Sequence, residues 1–233
     1  MAASASSPSN FYVTALENYL VSMARTVESS VTRSFEALLS RNAEIASAVF
    51  VTEPKINESE IIIDEHAVRL LRRGSLAEEE VRHIVASLKI TNDLERMGDL
   101  AVNICQCAIS LCQSPGAATP HEVASMVPPV RGMVSRCLGA LIHRNIALAS
   151  EVLESEDSVD RQRDRAVETL ISAVKVEPSL AAINIQYILA ARHLERIADH
   201  ATNIAEDVVF WVQGIDIRHN RNSPAYPAKP RNT

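Results

Sequence analysis

The 233-residue chain sets 23 Lys and Arg against 29 Asp and Glu, a formal net charge of −6, with 47% hydrophobic residues, 4% aromatics and only six glycines. That length supports one or two domains with a sizeable core, and that composition suits helices rather than a sandwich, a barrel or a glycine-looped α/β fold. The acidic balance argues against a nucleic-acid partner, which demands a clustered basic face.

The start, Met-Ala-Ala-Ser-Ala-Ser-Ser-Pro, has neither the basic nor the apolar region of a signal peptide, and residues 1–10 are expected as a mobile tail. A first helix is predicted from about Phe11 to Arg41. A second follows from Asn42, a good N-cap residue, to Gly74, a good C′ residue, with Pro54 either kinking it or marking a fresh start. A third opens at Ser75, with Glu78 as a capping-box partner, and runs to about Gln113. Turn residues at 114–120 break the pattern. A second unit then spans about His121 to Gln213, with Pro178 near the start of its last helix, where proline is tolerated. Residues 215–233 are expected as a mobile tail whose Arg218, Arg221, Lys229 and Arg231 are too sparse for a nucleic-acid claim.

The second unit repeats the first. At an offset of 103, Met23 falls on Met126, Val27 on Val130, Val31 on Val134 and Arg41-Asn42 on Arg144-Asn145. After a three-residue slippage near Gly74 and Pro178 the offset is 100. There Leu94–Ile104 lies over Leu194–Ile204 with seven of eleven positions identical. The expected fold is all-α: two pseudo-symmetric antiparallel three-helix bundles, residues 11–113 and 121–214, made of six long helices.

Chemistry is sought where acids interrupt apolar stripes. Val81, Leu88, Glu95, Val102 and Ile109 are seven apart, as are Ala181, Ile188, Glu195, Thr202 and Val209, so a glutamate is expected on each inner stripe. Asp99 and Asp199 follow one turn along. On the preceding helix, Glu156 and Asp160 flank the stripe of Val152, Val159, Ala166 and Ala173; in the first half the pair is Glu53 and Asn57. Four oxygen donors at adjacent turns suit Mg, Mn or Fe, and the second bundle, with no amide in the set, is the stronger candidate. Spacing alone leaves two readings open: cation coordination, or interhelical ion pairs of Glu95 and Glu195 with arginines such as Arg82 or Arg192. His83 is expected on a solvated face, and His193 and His200, neighbours of the second acidic segment, either at exposed positions or as outer-shell groups of that site. Cys105, Cys107 and Cys112 read as packing residues; with Cys137 they form no C-x-x-C pair or disulfide framework, which suits a reducing compartment. No uncharged run approaches the ~20 apolar residues that span a bilayer.

The repeated Leu-Glu-Arg-x-x-Asp-x-Ala-x-Asn-Ile segment, at Leu94–Ile104 and Leu194–Ile204, resembles the PhoU family of phosphate-uptake regulators, and the likeness extends over about residues 11–214. The resemblance implies a cytoplasmic, non-enzymatic regulator that restrains phosphate-starvation signalling at the inner face of the membrane. Its implied partners are a phosphate ABC transporter's ATPase and a sensor histidine kinase, and a homodimer is compatible with it. It also implies iron or zinc on Glu/Asp-x-x-x-Asp pairs, carried here by Glu95, Asp99, Glu156, Asp160, Glu195 and Asp199, with Glu53 a partial match because Asn57 departs from the pattern. The alternatives are a metal-dependent carboxylate-bundle enzyme acting on a phosphate compound and a metal-free helical scaffold.

Overall fold

The computed structural model describes residues 8–113 and 118–218, the side chains of 8–13 excepted. The helices are α1 (Pro8–Ser40), α2 (Ala43–Arg73), α3 (Glu78–Cys112), α4 (His121–Ala124), α5 (Val127–His143), α6 (Ile146–Val176) and α7 (Ala181–Gln213). The first three pack on one another as one bundle and α5, α6 and α7 as a second. The bundles join along α3 and α7, which share the most extensive interhelical contact among the described residues, with α1 against α5 alongside.

Local chemistry sets the turns. Arg41 and Arg144 both take left-handed φ, 50° and 49°, at equivalent places in the two halves. The next residue caps the following helix: Asn42 Oδ1 accepts from the Glu44 and Ile45 amides, and Asn145 Oδ1 from those of Ala147 and Leu148. α2 runs without interruption through Pro54, so no fresh helix begins there. Two helix starts differ from expectation. α3 opens at Glu78 rather than Ser75, because Ser75 has φ +54° and the reaching-back carboxylate is Glu80, whose Oε2 accepts from the Ala77 amide at 2.8 Å. The first helix of the second unit is split, since Pro128 and Pro129 lack the amide protons that would continue α4, and α5 restarts with them in its first turn.

The buried surface of α3 is centred on the heptads Ile84, Thr91, Gly98, Cys105 and Ser87, Leu94, Ala101, Ala108. In α7 it is centred on Asn184, Ala191, Ala198, Ala205 and Tyr187, Leu194, Ala201, Val208. The predicted inner stripe is therefore displaced by about one position: Glu95 and Glu195 are half-buried at the margin of the core, not inside it. Small residues at the centre draw the helices together. A Cβ at Gly98 would stand 3.0 Å from Ile56 Cδ1, so α2 and α3 touch closely beside Glu95 and Asp99.

Past α7, Ile217 is buried while residues 214–216 and 218 are exposed, so one side chain anchors a stretch expected as a mobile tail from 215. Pro8–Asn10, also expected in a tail, form the start of α1. The remaining parts of the two predicted tails and of the 114–120 break, residues 1–7, 219–233 and 114–117, lie outside the described residues.

Candidate metal centre

Helix α6 presents Glu156, Asp160 and Arg163 at i, i+4 and i+7, and the facing side of α7 presents Glu195 and Asp199 at i, i+4. Val152, Val159 and Ala166 beside them are buried, which holds α6 against α7 and leaves the polar set half-exposed along the seam. The seam brings one carboxylate oxygen each of Asp160, Glu195 and Asp199 within 4.8 Å of one another. Burial pushes the Asp199 carboxyl up to about 6, helped by the charges of Glu195, Asp160 and Glu156 and opposed by His200. Glu156 thus contributes to the same negative field from one turn away. An ion held at about 2.1 Å spaces its ligand atoms by about 3.0 Å when cis and about 4.2 Å when trans, so the trio would have to draw inward to share one. Crowded, partly desolvated carboxylates on two facing helices are the donor set a divalent cation satisfies.

One cation is already nearby. Arg163 Nη2 lies 3.2 Å from Glu195 Oε1, and its Nε lies 3.4 Å from Asp164 Oδ1. The interhelical ion pair open to Glu195 from spacing therefore exists, with Arg163 as partner instead of Arg192. Arg82 is engaged elsewhere: its Nε donates to the Trp211 carbonyl at 3.1 Å and its Nη1 lies 3.5 Å from Glu78.

The first half does not repeat this cluster. Asn57 Nδ2 donates to Glu53 Oε1 at 2.8 Å, so the amide that replaces an acid ties up its neighbour. Arg96 bridges Glu95 at 3.3 Å and Asp99 at 3.5 Å. Burial and the Asp99 charge raise the Glu95 carboxyl, with Arg96 opposing and Glu60 adding to the rise. Glu60 stands where α6 has Arg163, at the same offset of 103. Spacing alone missed both residues, yet each lies one turn beyond the residue considered, Asn57 or Asp160, on the same helix face.

Other side chains correct the sequence reading. His83 is buried, stacked on Trp211 with ring centroids 4.3 Å apart, and burial lowers its pKa to about 4; a large aromatic from α7 covers it, so it is not on a solvated face. His200 is also largely buried, with Nδ1 2.7 Å from Asp93 Oδ1. His193 is half-buried, and its Nδ1 has no hydrogen-bond partner. Cys105, Cys107 and Cys137 are buried packing residues, whereas Cys112 is exposed at the end of α3.

Residues 20–108 and 123–208 each match the PhoU domain. The chain belongs to the PhoU family. Its two domain matches account for the internal repeat. The chain is 34% identical to the phosphate-specific transport system accessory protein PhoU homologues of Pseudomonas putida and Pseudomonas aeruginosa. Both alignments cover 88% of this chain, and they take in 80% and 85% of those proteins. The crystal structure of PhoU from Pseudomonas aeruginosa superposes with a TM-score of 0.85 at 33% identity, covering 88% of this chain and 99% of that one. The phosphate transport system regulatory protein PhoU from Streptococcus pneumoniae, 22% identical, shares the fold with a TM-score of 0.81 over 89% of this chain and 98% of its own.

Proposed function

We propose that this PhoU-family chain is an accessory regulator of phosphate-specific transport and phosphate-starvation signalling. It acts in the cytoplasm as a non-enzymatic adaptor between a phosphate ABC transporter's ATPase and a sensor histidine kinase. The observation that carries the reading is the match of both halves, over 88% of the chain, to relatives described as accessory proteins of phosphate-specific transport. No helix of the described residues is long and apolar enough to cross a membrane, so contact with a transporter would be made by docking. Long amphipathic helices suit such docking on partner domains.

Within that role, Asp160, Glu195 and Asp199 form a cation site, with Glu156 reinforcing its field. A bound metal supplies a positive charge shared by α6 and α7, and so cross-links the two helices of the second bundle. Glu53, Glu95 and Asp99 make at most a weaker site, because Asn57 donates to Glu53 Oε1 and the Arg96 guanidinium already sets a positive charge beside Glu95 and Asp99. Iron or zinc follows from the family resemblance, and magnesium or manganese from the all-carboxylate donors.

The test is complementation of a strain lacking its own PhoU, read by a phosphate-starvation reporter in phosphate-replete medium. The chain should restore repression, and E195A/D199A should restore it poorly while accumulating normally. Failure of the unaltered chain to repress would sink the regulatory reading; full repression by the double variant would remove the metal from it.

A further inference from the structure

The ion pair between α6 and α7 suggests how the proposed cation site is regulated, an inference that rests on that reading of the cluster. We infer that Arg163 is a built-in counter-cation, which holds Glu195 when no metal is bound and must give way when one arrives. The site then exchanges its metal instead of holding it permanently.

Arg163 stands one turn beyond Asp160 on the same face of α6, with Nη2 3.2 Å from Glu195 Oε1. Glu195 is also one of the three residues whose oxygens converge on the cluster. A guanidinium at this range and a multivalent ion on the same carboxylate repel each other, and half-burial leaves little solvent to screen them. The arginine is poorly anchored otherwise. Its Nε is buried without a hydrogen-bond acceptor, and Asp164, its second ion-pair partner, is 63% exposed. Its own side chain is 28% exposed, which gives the guanidinium a route to water. Helix packing does not require an arginine here, because the equivalent place in the first half holds Glu60. There the counter-charge comes from Arg96 on α3, which is 53% exposed.

The consequence is a site whose affinity is set by competition. An ion must displace Arg163 from Glu195 to complete its coordination, which disfavours weakly bound monovalent ions. Arg163 is a positioning residue for the empty cluster and a specificity determinant for the filled one.

The test is calorimetric titration of the metal-stripped, full-length protein with Mn²⁺, comparing the unaltered chain with R163Q and R163K. R163Q should bind Mn²⁺ at least about tenfold more tightly, whereas R163K, which keeps the charge, should stay close to the unaltered chain. In EDTA, R163Q should melt below the unaltered chain and gain more from added Mn²⁺. Adding E195Q and D199N should abolish binding in either background. Equal or weaker Mn²⁺ affinity in R163Q would overturn the competition while leaving the cation site in place. Absence of binding in both would overturn the cation site itself and this proposal with it.

Discussion

Asp93 Oδ1 on α3 meets His200 Nδ1 on α7 at 2.7 Å and also accepts from Asn203 Nδ2 at 3.1 Å. Nearby, Lys89 Nζ lies 3.1 Å from Asp207 Oδ1, so an ion pair joins the same two helices. The repeat places His193, Leu100, Leu189 and Cys107 at the equivalents of Asp93, His200, Lys89 and Asp207. Neither contact can be repeated by the residues at the equivalent positions. A duplicated chain has specialised one half of its own interface.

That contact should be measurable. His200 and Asp93 side chains are 17% and 11% exposed, so the pair is largely desolvated. Urea unfolding of H200A should show a loss of about 2 kcal/mol, in the range for hydrogen bonds to charged groups. H200A combined with D93N should lose less than the sum of the single variants, because they share one interaction. Strict additivity would show that the residues are neighbours without coupling.

Asp199 predicts a pH effect of its own. Its carboxyl is raised from 3.8 to about 6 in the folded chain. The folded state therefore keeps a proton that the unfolded state releases, and this group's contribution to stability falls as pH rises from about 4 to 6. The shift corresponds to about 3 kcal/mol before solvent screening and to on the order of 1–2 kcal/mol after it, since the group is only half-buried. In EDTA at pH 7.5, D199N should be more stable than the unaltered chain by that amount and should no longer respond to Mn²⁺. A destabilised D199N would mean that the carboxylate is well paired without a cation.

His83 works in the opposite direction over the same pH range. Burial lowers its pKa from 6.5 to about 4, so the unfolded chain takes up a proton first and stability is lost as pH falls below about 6.5. H83F keeps an aromatic against Trp211 and removes that proton. Between pH 6.5 and 4, the unaltered chain should lose up to about 3 kcal/mol relative to H83F, as read by unfolding curves of the two proteins. Parallel pH profiles would contradict the assignment. The Asp199 and His83 effects oppose each other, so the unaltered protein alone cannot separate them.

Thiol reactivity offers a quick check of the core. Burial pushes Cys105 up to about 12 and Cys107 to about 11, and raises Cys137 as well; Cys112 alone of the four is exposed. One thiol should react rapidly with an aromatic disulfide reagent in the folded protein and four in denaturant. Rapid reaction of two or more would mean that the α3 packing opens readily.

Much of the fold was legible because local chemistry and the repeat pointed the same way. Asn42 reads as a cap and is one, as is its repeat equivalent Asn145; Leu94–Ile104 and Leu194–Ile204 read as equivalents and occupy equivalent helices. The helix starts were less legible. Glu78 and Glu80 both offer a capping carboxylate, and only the left-handed turn at Ser75 decides between them. The heptad phase through Glu95 and Glu195 was misplaced by about one position, since alanine, glycine, serine and threonine fill the true centre and do not stand out as an apolar stripe. The second-half acids were legible from spacing on two helices. Arg163 was not, because the pair it makes with Glu195 depends on how α6 and α7 are set against each other, which neither helix encodes alone. His83 was missed for the same reason: Trp211 covers it from 128 residues away in sequence.

The proposed site holds a cation shared by α6 and α7. Elemental analysis of protein equilibrated with Mn²⁺ and rapidly desalted, unaltered beside E195Q/D199N, tests this most directly. The unaltered protein should hold close to one manganese ion or more per chain, and the variant at least one fewer. Equal metal content in the two proteins, or none in either, would contradict it.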